Sequence, residues 1–327
     1  MSNQEGKQLT EQFFFTTTID LITSLDLYLN RGINEKTASN DTHRLLPFCS
    51  QFKGVPIQNI TPNDIDIWVK KLKLQLGPVS VESYKQSMKA FFNWCVKNES
   101  IPLKSSPAQH LKPKRKTSSR YKAANPNDLT KIIKGLQSRI PEIYELKPQR
   151  RYNTHKLVVR DLLAFSLAMD SGKRLHELAS ITRRSINTAL KNPILAQNGV
   201  VVYSAQAFGK TGAANLMFTE YTATIYRFWE SIRGTSSSNF VFIALGGKHS
   251  GKPLTDSGFT TIFVRRAKEF GVATNRTHSI RHLVGTRTTD HFNPRVAATV
   301  LNITVETAIQ HYYNEDSQGA VNAIALN

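Results

Sequence analysis

The stretch Thr277–Tyr313, which reads THSIRHLVGTRTTDHFNPRVAATVLNITVETAIQHYY, holds most of the candidate chemistry of the chain. It opens with His278 and Arg281, which are three residues apart, so on a helix both side chains leave from one face. It closes with two adjacent tyrosines, Tyr312 and Tyr313. A tyrosine hydroxyl held near an imidazole and a guanidinium can attack a phosphate. Because a His-x-x-Arg pair also occurs by chance on protein surfaces, this interpretation depends on residues elsewhere in the chain.

The second half of the chain is predicted to combine helices with a small pair of strands. Apolar residues recur at helical spacing in the opening stretch, at Val296, Ala297, Val300 and Leu301. The sequence Asn125-Pro126-Asn127-Asp128 is typical of a helix start. Helices are expected at about 129–136, 157–169, 221–233, 256–270 and 277–290. Strands are expected at 200–203 and 215–218, with a turn at 208–212 between them.

The charge of the chain indicates a polyanionic partner. Its 327 residues are enough for about two domains. They carry 43 Lys and Arg against 24 Asp and Glu, a formal net charge of +19. A basic surplus spread over most of the length favours nucleic acid, although a basic protein without such a partner is the alternative.

The two cysteines and the N-terminus favour a reduced, cytoplasmic protein. Cys49 and Cys95 lie in apolar helical contexts, and no spacing typical of a metal site is present. The N-terminus is polar, and no apolar run approaches the length of a membrane span. We therefore expect no membrane association, and association with the nucleoid when the protein is bound to DNA.

Residues 13–104 are predicted to form a helical bundle after a flexible N-terminus, residues 1–12. Four amphipathic helices are expected, three of them at about 13–30, 37–52 and 80–97, and one that starts at Thr61. Thr61, Pro62 and Asp64 give the third helix a clear start. Polar and basic side chains lie off the apolar stripes of the second and fourth helices. We expect these to contact DNA: Asn40, Thr42, Arg44, Lys85 and Lys89.

Residues 105–125 are predicted to be an extended linker, because Pro, Ser and positive charge are concentrated there. Lys114, Arg115 and Lys116 are the densest part of that charge and are expected to contact phosphates, a solvated tether being the alternative. The second domain then covers 126–316. The tail, 317–327, is an apolar segment too short to fold alone.

Two upstream segments complete the pattern. The first is Gly172-Lys173-Arg174-Leu175-His176-Glu177-Leu178, and the second is Ala207-Phe208-Gly209-Lys210-Thr211-Gly212. The order Arg174, Lys210, His278, Arg281 and Tyr312 resembles that of the tyrosine recombinase (phage integrase) family of site-specific DNA recombinases. The first segment resembles the G-x-R-x-x-E-L box of that family, and the second resembles its strand-turn lysine.

The resemblance implies a fold that is mainly α with a small antiparallel β-sheet. The bundle resembles the SAM-like core-binding domain of the family, and residues 126–316 resemble its mixed catalytic domain. It implies that Tyr312 attacks a DNA phosphodiester to give a 3′-phosphotyrosine. Arg174 and Arg281 would neutralise the phosphate charge. Lys210 would be the general acid, and His278 would assist proton transfer, with Glu177 in support. It implies neither a nucleotide cofactor nor a metal.

Several of these assignments have an alternative. Arg174 and Glu177 can also form a structural bridge. Lys173 is a second candidate for the general acid, and Tyr313 a second candidate for the nucleophile. We prefer Tyr312 because it aligns with the end of the family pattern without a gap. The remaining histidines of the stretch, His282 and His311, are interpreted as packing or surface residues.

One position departs from the family pattern. Nine residues before the tyrosine the family usually has His or Trp, within Leu-Gly-His, where this chain has Leu301-Asn302-Ile303. Asn and Gly both tolerate the left-handed conformation that ends a helix. Ile303 cannot donate a hydrogen bond to a phosphate, so the contact must be absent or come from another group such as Asn302. We expect reduced or altered catalysis rather than none.

Three hypotheses about function follow. The leading one is a recombinase or integrase that binds double-stranded DNA at a specific site and exchanges strands through a Holliday junction. By analogy it would be a monomer or dimer when free and a homotetramer on paired sites. Its tail would dock on a neighbouring subunit, or else on its own domain. The alternatives are a DNA-binding regulatory protein that has lost the chemistry, which Ile303 favours, and a monomeric type IB topoisomerase-like enzyme.

Overall fold

The computed structural model describes residues 19–113, 123–143, 148–209, 212–234, 236–273 and 277–313. The chain divides into two compact units, Met1–Thr117 and Ser118–Asn327. Several predictions lie outside the described residues: the flexible segment 1–12, the tail 317–327, the phosphate contacts of Lys114, Arg115 and Lys116, and the position of Lys210.

The first unit is the predicted bundle. Its helices are α1 (Leu21–Leu29), α2 (Glu35–Gln51), α3 (Pro62–Gln75) and α4 (Pro78–Lys97). Phe48, Phe91 and Phe92 are buried at its centre, where the Phe92 ring contacts the rings of the other two. Thr61 caps α3 through the backbone N–H of Asp64, whose carboxylate accepts the N–H of Thr61 in return. The predicted start of the third helix is therefore the observed one.

Two boundaries in the first unit differ from prediction. The first helix does not run unbroken from residue 13, because extended Asp20 caps it and it begins at Leu21. The extended linker does not begin at 105. Ala108 and Leu111 pack into the first core, and Lys89 donates to the carbonyl of Leu111 at 2.8 Å. Apolar side chains within the Pro- and Ser-rich stretch thus extend the first unit beyond residue 104.

The second unit packs helices around a three-stranded antiparallel sheet. Its helices are α5 (Pro126–Ile143), α6 (Pro148–Ser171), α7 (Leu175–Ala179), α8 (Arg183–Leu190), α9 (Glu220–Ile232), α10 (Asp256–Glu269), α11 (Thr277–His291), α12 (Pro294–Leu301) and α13 (Val305–Tyr312). The strands, in sheet order, are β1 (Ile194–Leu195), β2 (Val201–Gly209) and β3 (Gly212–Thr219). Residues 158–165 of α6 are buried among the other elements, so this helix is the centre of the second core.

The predicted fold class is confirmed, with differences in the sheet. The strand pair is longer than predicted, because pairing continues to Gly209 opposite Gly212. The strand β1 was not predicted, since its two residues are exposed and carry no alternating pattern. Within the described ranges, no helix is both long and apolar enough to cross a membrane.

Candidate active site

One small cavity in the second unit collects most of the predicted catalytic residues. Its volume is about 160 Å³. Four of the eight residues that line it were predicted as catalytic: Arg174, His278, Arg281 and Tyr312. The other four are His282, Ile303, Thr307 and His311. The lining comes from the start of α7, from α11, and from the α12–α13 hairpin that follows. The two guanidinium groups therefore share one pocket with the phenol.

Arg174 lies at the N-terminus of α7, where Glu177 holds it. The carboxylate of Glu177 accepts the backbone N–H of Arg174 at 2.6 Å and its Nη1 at 3.3 Å. Glu177 is 1% exposed, whereas the Arg174 side chain is 42% exposed. The structural bridge considered from the sequence is thus present. It leaves the guanidinium open to solvent at the cavity.

Arg281 is fixed by backbone carbonyls. Its Nη1 donates to the carbonyl of Gly172 at 2.9 Å and its Nη2 donates to that of Leu301 at 2.8 Å. Burial lowers its pKa below the ordinary value for arginine, and Arg174 adds to this, while Tyr312 and Glu177 oppose it. Two of its five N–H donors are used by the two carbonyls, and the Tyr312 hydroxyl is a further hydrogen-bond partner of the guanidinium.

His278 leaves the exposed start of α11 and lines the cavity. Its pKa is lowered below the ordinary value, mainly because protein surrounds part of the ring, and also because Arg281, Arg174 and His311 lie close by. A lowered pKa keeps the imidazole neutral near pH 7, the form that can accept a proton.

Tyr312 is the last residue of α13 and its side chain points back into the unit. It is 6% exposed. Its ring makes an edge contact with the His282 ring at 5.0 Å and lies so close to Gly285 that a Cβ there would be 2.5 Å from Cδ1. The hydroxyl of Thr289 donates to its carbonyl at 3.1 Å. Tyr313 follows the helix, is 40% exposed and does not line the cavity.

The candidates for the general acid are placed differently. Lys210 lies outside the described residues, but the strand end before it is held beside the site. A Cβ at Gly209 would be 2.9 Å from Oε1 of Glu177, and Ser180 exchanges two hydrogen bonds with the backbone of Phe208. Lys173 is 1% exposed, does not line the cavity and donates to the carbonyl of Val300.

Residues 137–318 match the sequence profile described as the Phage integrase family. This match covers more than half of the chain. The chain belongs to the phage integrase family. A search among curated protein sequences gave no significant match.

Solved structures of this family share the fold at low sequence identity. A lambda integrase dimer bound to a COC′ core site is 14% identical with a TM-score of 0.64, covering 92% of this chain and 78% of that one. XerH site-specific recombinase in a post-cleavage complex with a palindromic difH substrate is 15% identical with a TM-score of 0.67, covering 92% and 83%. Tn1549 transposon integrase with circular intermediate DNA is 15% identical with a TM-score of 0.66, covering 94% and 100%.

The departure from the family pattern is visible in the cavity. Ile303 lines it with hydrocarbon. Asn302 adopts the left-handed conformation at φ 53°, closes α12 with its backbone, and exposes its side chain outside the lining. This placement gives no support to Asn302 as the substitute donor. Its conformation is the one expected for the residue that replaces Gly.

Three polar residues of the lining are not among those selected from the sequence as catalytic: His282, Thr307 and His311. Thr307 and His311 are four residues apart on α13, so both face the cavity that Tyr312 also lines. His282 and His311 line the cavity, although the sequence analysis interprets them as packing or surface residues. The spacing from Tyr312 was the available signal, but the start of α13 had to be known before it could be used.

Five of the residues predicted to contact DNA lie on α2 and α4 of the first unit. Arg44 donates from Nη1 to the hydroxyl of Ser87 at 3.2 Å, which joins the two predicted surfaces. Asn40 is exposed and Thr42 half-buried. Lys85 pairs with Glu82 at 2.7 Å, and Lys89 holds the 107–111 turn. Both lysines are therefore engaged within the unit, which the sequence did not indicate.

Among the residues that the structure describes, no group of three or more His, Cys, Asp or Glu side chains could hold a metal ion.

Proposed function

We propose that this chain is a site-specific DNA recombinase or integrase that cleaves and rejoins DNA through a 3′-phosphotyrosyl intermediate. The observation that carries the proposal is the cavity in which Arg174, Arg281 and His278 surround the same space as Tyr312. A phosphodiester in that space would meet two permanent positive charges, a proton acceptor and a nucleophile.

The reaction is written as an in-line displacement. The phenol of Tyr312 gives its proton to a base, for which neutral His278 is suited, and its oxygen attacks phosphorus. The bond from phosphorus to the 5′ oxygen breaks, and that oxygen takes a proton from an acid, for which we propose Lys210. The 3′ phosphate is then joined to Tyr312, and the reverse reaction with a 5′ hydroxyl from a partner strand reseals the DNA.

Arg174 and Arg281 have distinct roles in this scheme. Arg281 is buried and fixed by two carbonyls, so its remaining donors are preorganised. Arg174 is more exposed and is restrained on one side by Glu177. Each would donate to a non-bridging phosphate oxygen, whose negative charge grows in the transition state. The scheme uses neither a metal ion nor ATP.

Exchange between two DNA sites requires more than one subunit, so we propose a homotetramer on paired sites and a Holliday junction between the two exchanges. Among the related structures, lambda integrase is a dimer bound to a core site and XerH is in complex with its substrate DNA. The net charge of +19 supports binding to double-stranded DNA, with strong salt dependence. The proposed location is the cytoplasm, at the nucleoid.

A nicked suicide substrate tests the chemistry. After cleavage the short fragment that carries the free 5′ hydroxyl diffuses away, so the strand cannot be resealed and wild-type protein should accumulate as a covalent complex. Tyr312→Phe should bind the same DNA and form none, and the matched variant Tyr313→Phe should behave as wild type. Trapping through Tyr313 instead would refute the assignment of the nucleophile. Dependence on two copies of a defined site would separate a recombinase from a topoisomerase.

A second candidate function is a DNA-binding protein of this family without cleavage activity. Ile303 favours it, because a hydrocarbon side chain occupies a position on the cavity where the family usually places a donor. Site-specific binding with no covalent complex on any nicked substrate would support this candidate.

A further inference from the structure

Lys173 is among the largest fully buried side chains of the described residues, at 1% exposure. Lysine is almost never fully buried unless a partner satisfies its ammonium group. Its Nζ donates to the carbonyl oxygen of Val300 at 2.9 Å. The residue stands between Gly172 and Arg174, and its acceptor lies on α12, far away in the sequence.

The carbonyl of Val300 belongs to the last turn of α12, where helical carbonyls have no partner in the helix. Two of the four terminal carbonyls, those of Ala298 and Thr299, accept backbone N–H groups of residues 302 and 303. The third, of Val300, accepts from Lys173, and the fourth, of Leu301, accepts from Arg281. All four are satisfied, two of them by cations at the negative end of the helix dipole.

This arrangement connects the arginine segment to the tyrosine helix. The end of α12 leads through Asn302, Ile303 and Thr304 directly into α13, whose last residue is Tyr312. Gly172 packs on the same end of α12, since a Cβ there would be 2.7 Å from Leu301 Cδ2. Lys173 therefore contacts the one end of α12 that sets where α13 begins.

We propose that Lys173 is a positioning residue that holds the α12–α13 hairpin, and with it Tyr312, against the arginines of the cavity. The predicted effect of Lys173 on cleavage rests on the proposed function, whereas its contact with α12 is independent of that function. Lys173 acts through backbone and does not touch the phosphate, because it does not line the cavity.

The charges around Lys173 agree with this role. Burial is the main cause that lowers its pKa to about 8, with Arg281 and Arg174 contributing, while the carboxylate of Glu177 opposes the change. Glu177 is thus the counter-charge for a cluster of three cations.

The test compares Lys173→Met with Lys156→Met in the full chain. Lys156 is a matched control, since it is also buried and its Nζ donates at 3.0 Å to the carbonyl of Arg233, which caps the end of α9. Hydrogen exchange of residues 302–313 should accelerate in Lys173→Met and stay as in wild type in Lys156→Met. Lys173→Gln keeps an N–H donor and should show an intermediate exchange rate. This variant keeps the test usable if Lys173→Met does not fold.

Cleavage is measured in single turnover at saturating protein on the nicked substrate. Lys173→Met should be slower by roughly 10²-fold, the effect of a nucleophile displaced by about 1 Å, with DNA affinity within about twofold of wild type. A substrate in which sulfur replaces the 5′ oxygen that leaves phosphorus should not restore the cleavage rate of Lys173→Met. A sulfur leaving group needs little help from an acid, so restoration would make Lys173 the general acid and overturn the proposal.

Equal hydrogen-exchange rates of residues 302–313 in Lys173→Met and Lys156→Met would also overturn the proposal. If wild-type protein forms no covalent complex, the proposed function fails, and the exchange comparison alone decides the role of Lys173. Faster hydrogen exchange of residues 302–313 in Lys173→Met would then support the positioning contact, although the protein does not cleave DNA.

Discussion

Replacing Glu177 by Gln should destabilise the second unit strongly. The carboxylate is buried, accepts two hydrogen bonds from Arg174 and lies 3.9 Å from Nη1 of Arg281. Glutamine keeps the shape, but one of its two terminal atoms becomes a donor that faces an Arg174 N–H group. Lys173, Arg174 and Arg281 would be left without a negative charge. Removing one partner of a buried ion pair costs about 3–5 kcal/mol, which we expect here.

The assay is chemical denaturation followed by tryptophan fluorescence. Trp229 is fully buried in the second core and should report on this unit. The matched control is Glu220→Gln. Glu220 also pairs with an arginine, Arg227, but both side chains are 47% exposed. Such a surface pair contributes about 0–1 kcal/mol, so the control should unfold close to wild type.

The same variant should change the titration of Lys173. Glu177 is the group that raises the pKa of Lys173 against burial, so its removal should move that pKa below about 8. A free energy of unfolding within about 1 kcal/mol of wild type, as for the surface pair, would refute the reasoning. It would mean that the three cations are satisfied by backbone and solvent alone.

Three further predictions concern the reaction. Gly285→Ala places a methyl group against the Tyr312 ring, and the resulting strain of about 1–3 kcal/mol should outweigh the gain in helix propensity. Single-turnover cleavage should therefore fall, while DNA binding should stay unchanged. Because the pKa of His278 is lowered from 6.5, the pH profile of cleavage should be flat at neutral pH and fall only below that value, and a fall beginning above it would contradict a base role for His278. Ile303→His should leave trapping of the covalent complex equal or higher, and a large loss would mean that the isoleucine has another role.

The shared face of His278 and Arg281 could be predicted from the sequence because it depends on local period, whereas Arg174, Lys210 and Tyr312 were selected by the resemblance to the family. His278 and Arg281 lie on one face of α11 as their spacing requires. The N-terminal cap of α3 and the presence of the β2–β3 hairpin are also local features, because they depend on a few adjacent residues. For the same reason the helices of the bundle followed from periodicity, whereas the complete fold class was implied by the resemblance to the family.

Residue type and spacing do not determine which of two neighbours faces the cavity, and the preference for Arg174 and Tyr312 came from the resemblance to the family. Lys173 and Arg174 are adjacent cations, yet the arginine lines the cavity and the lysine is buried against α12. Tyr312 and Tyr313 are adjacent phenols, yet only Tyr312 lies within α13 and points inward. These choices depend on where a helix ends and what packs against it. The tertiary structure supplies the physical reason for each choice, because the partners come from distant parts of the chain.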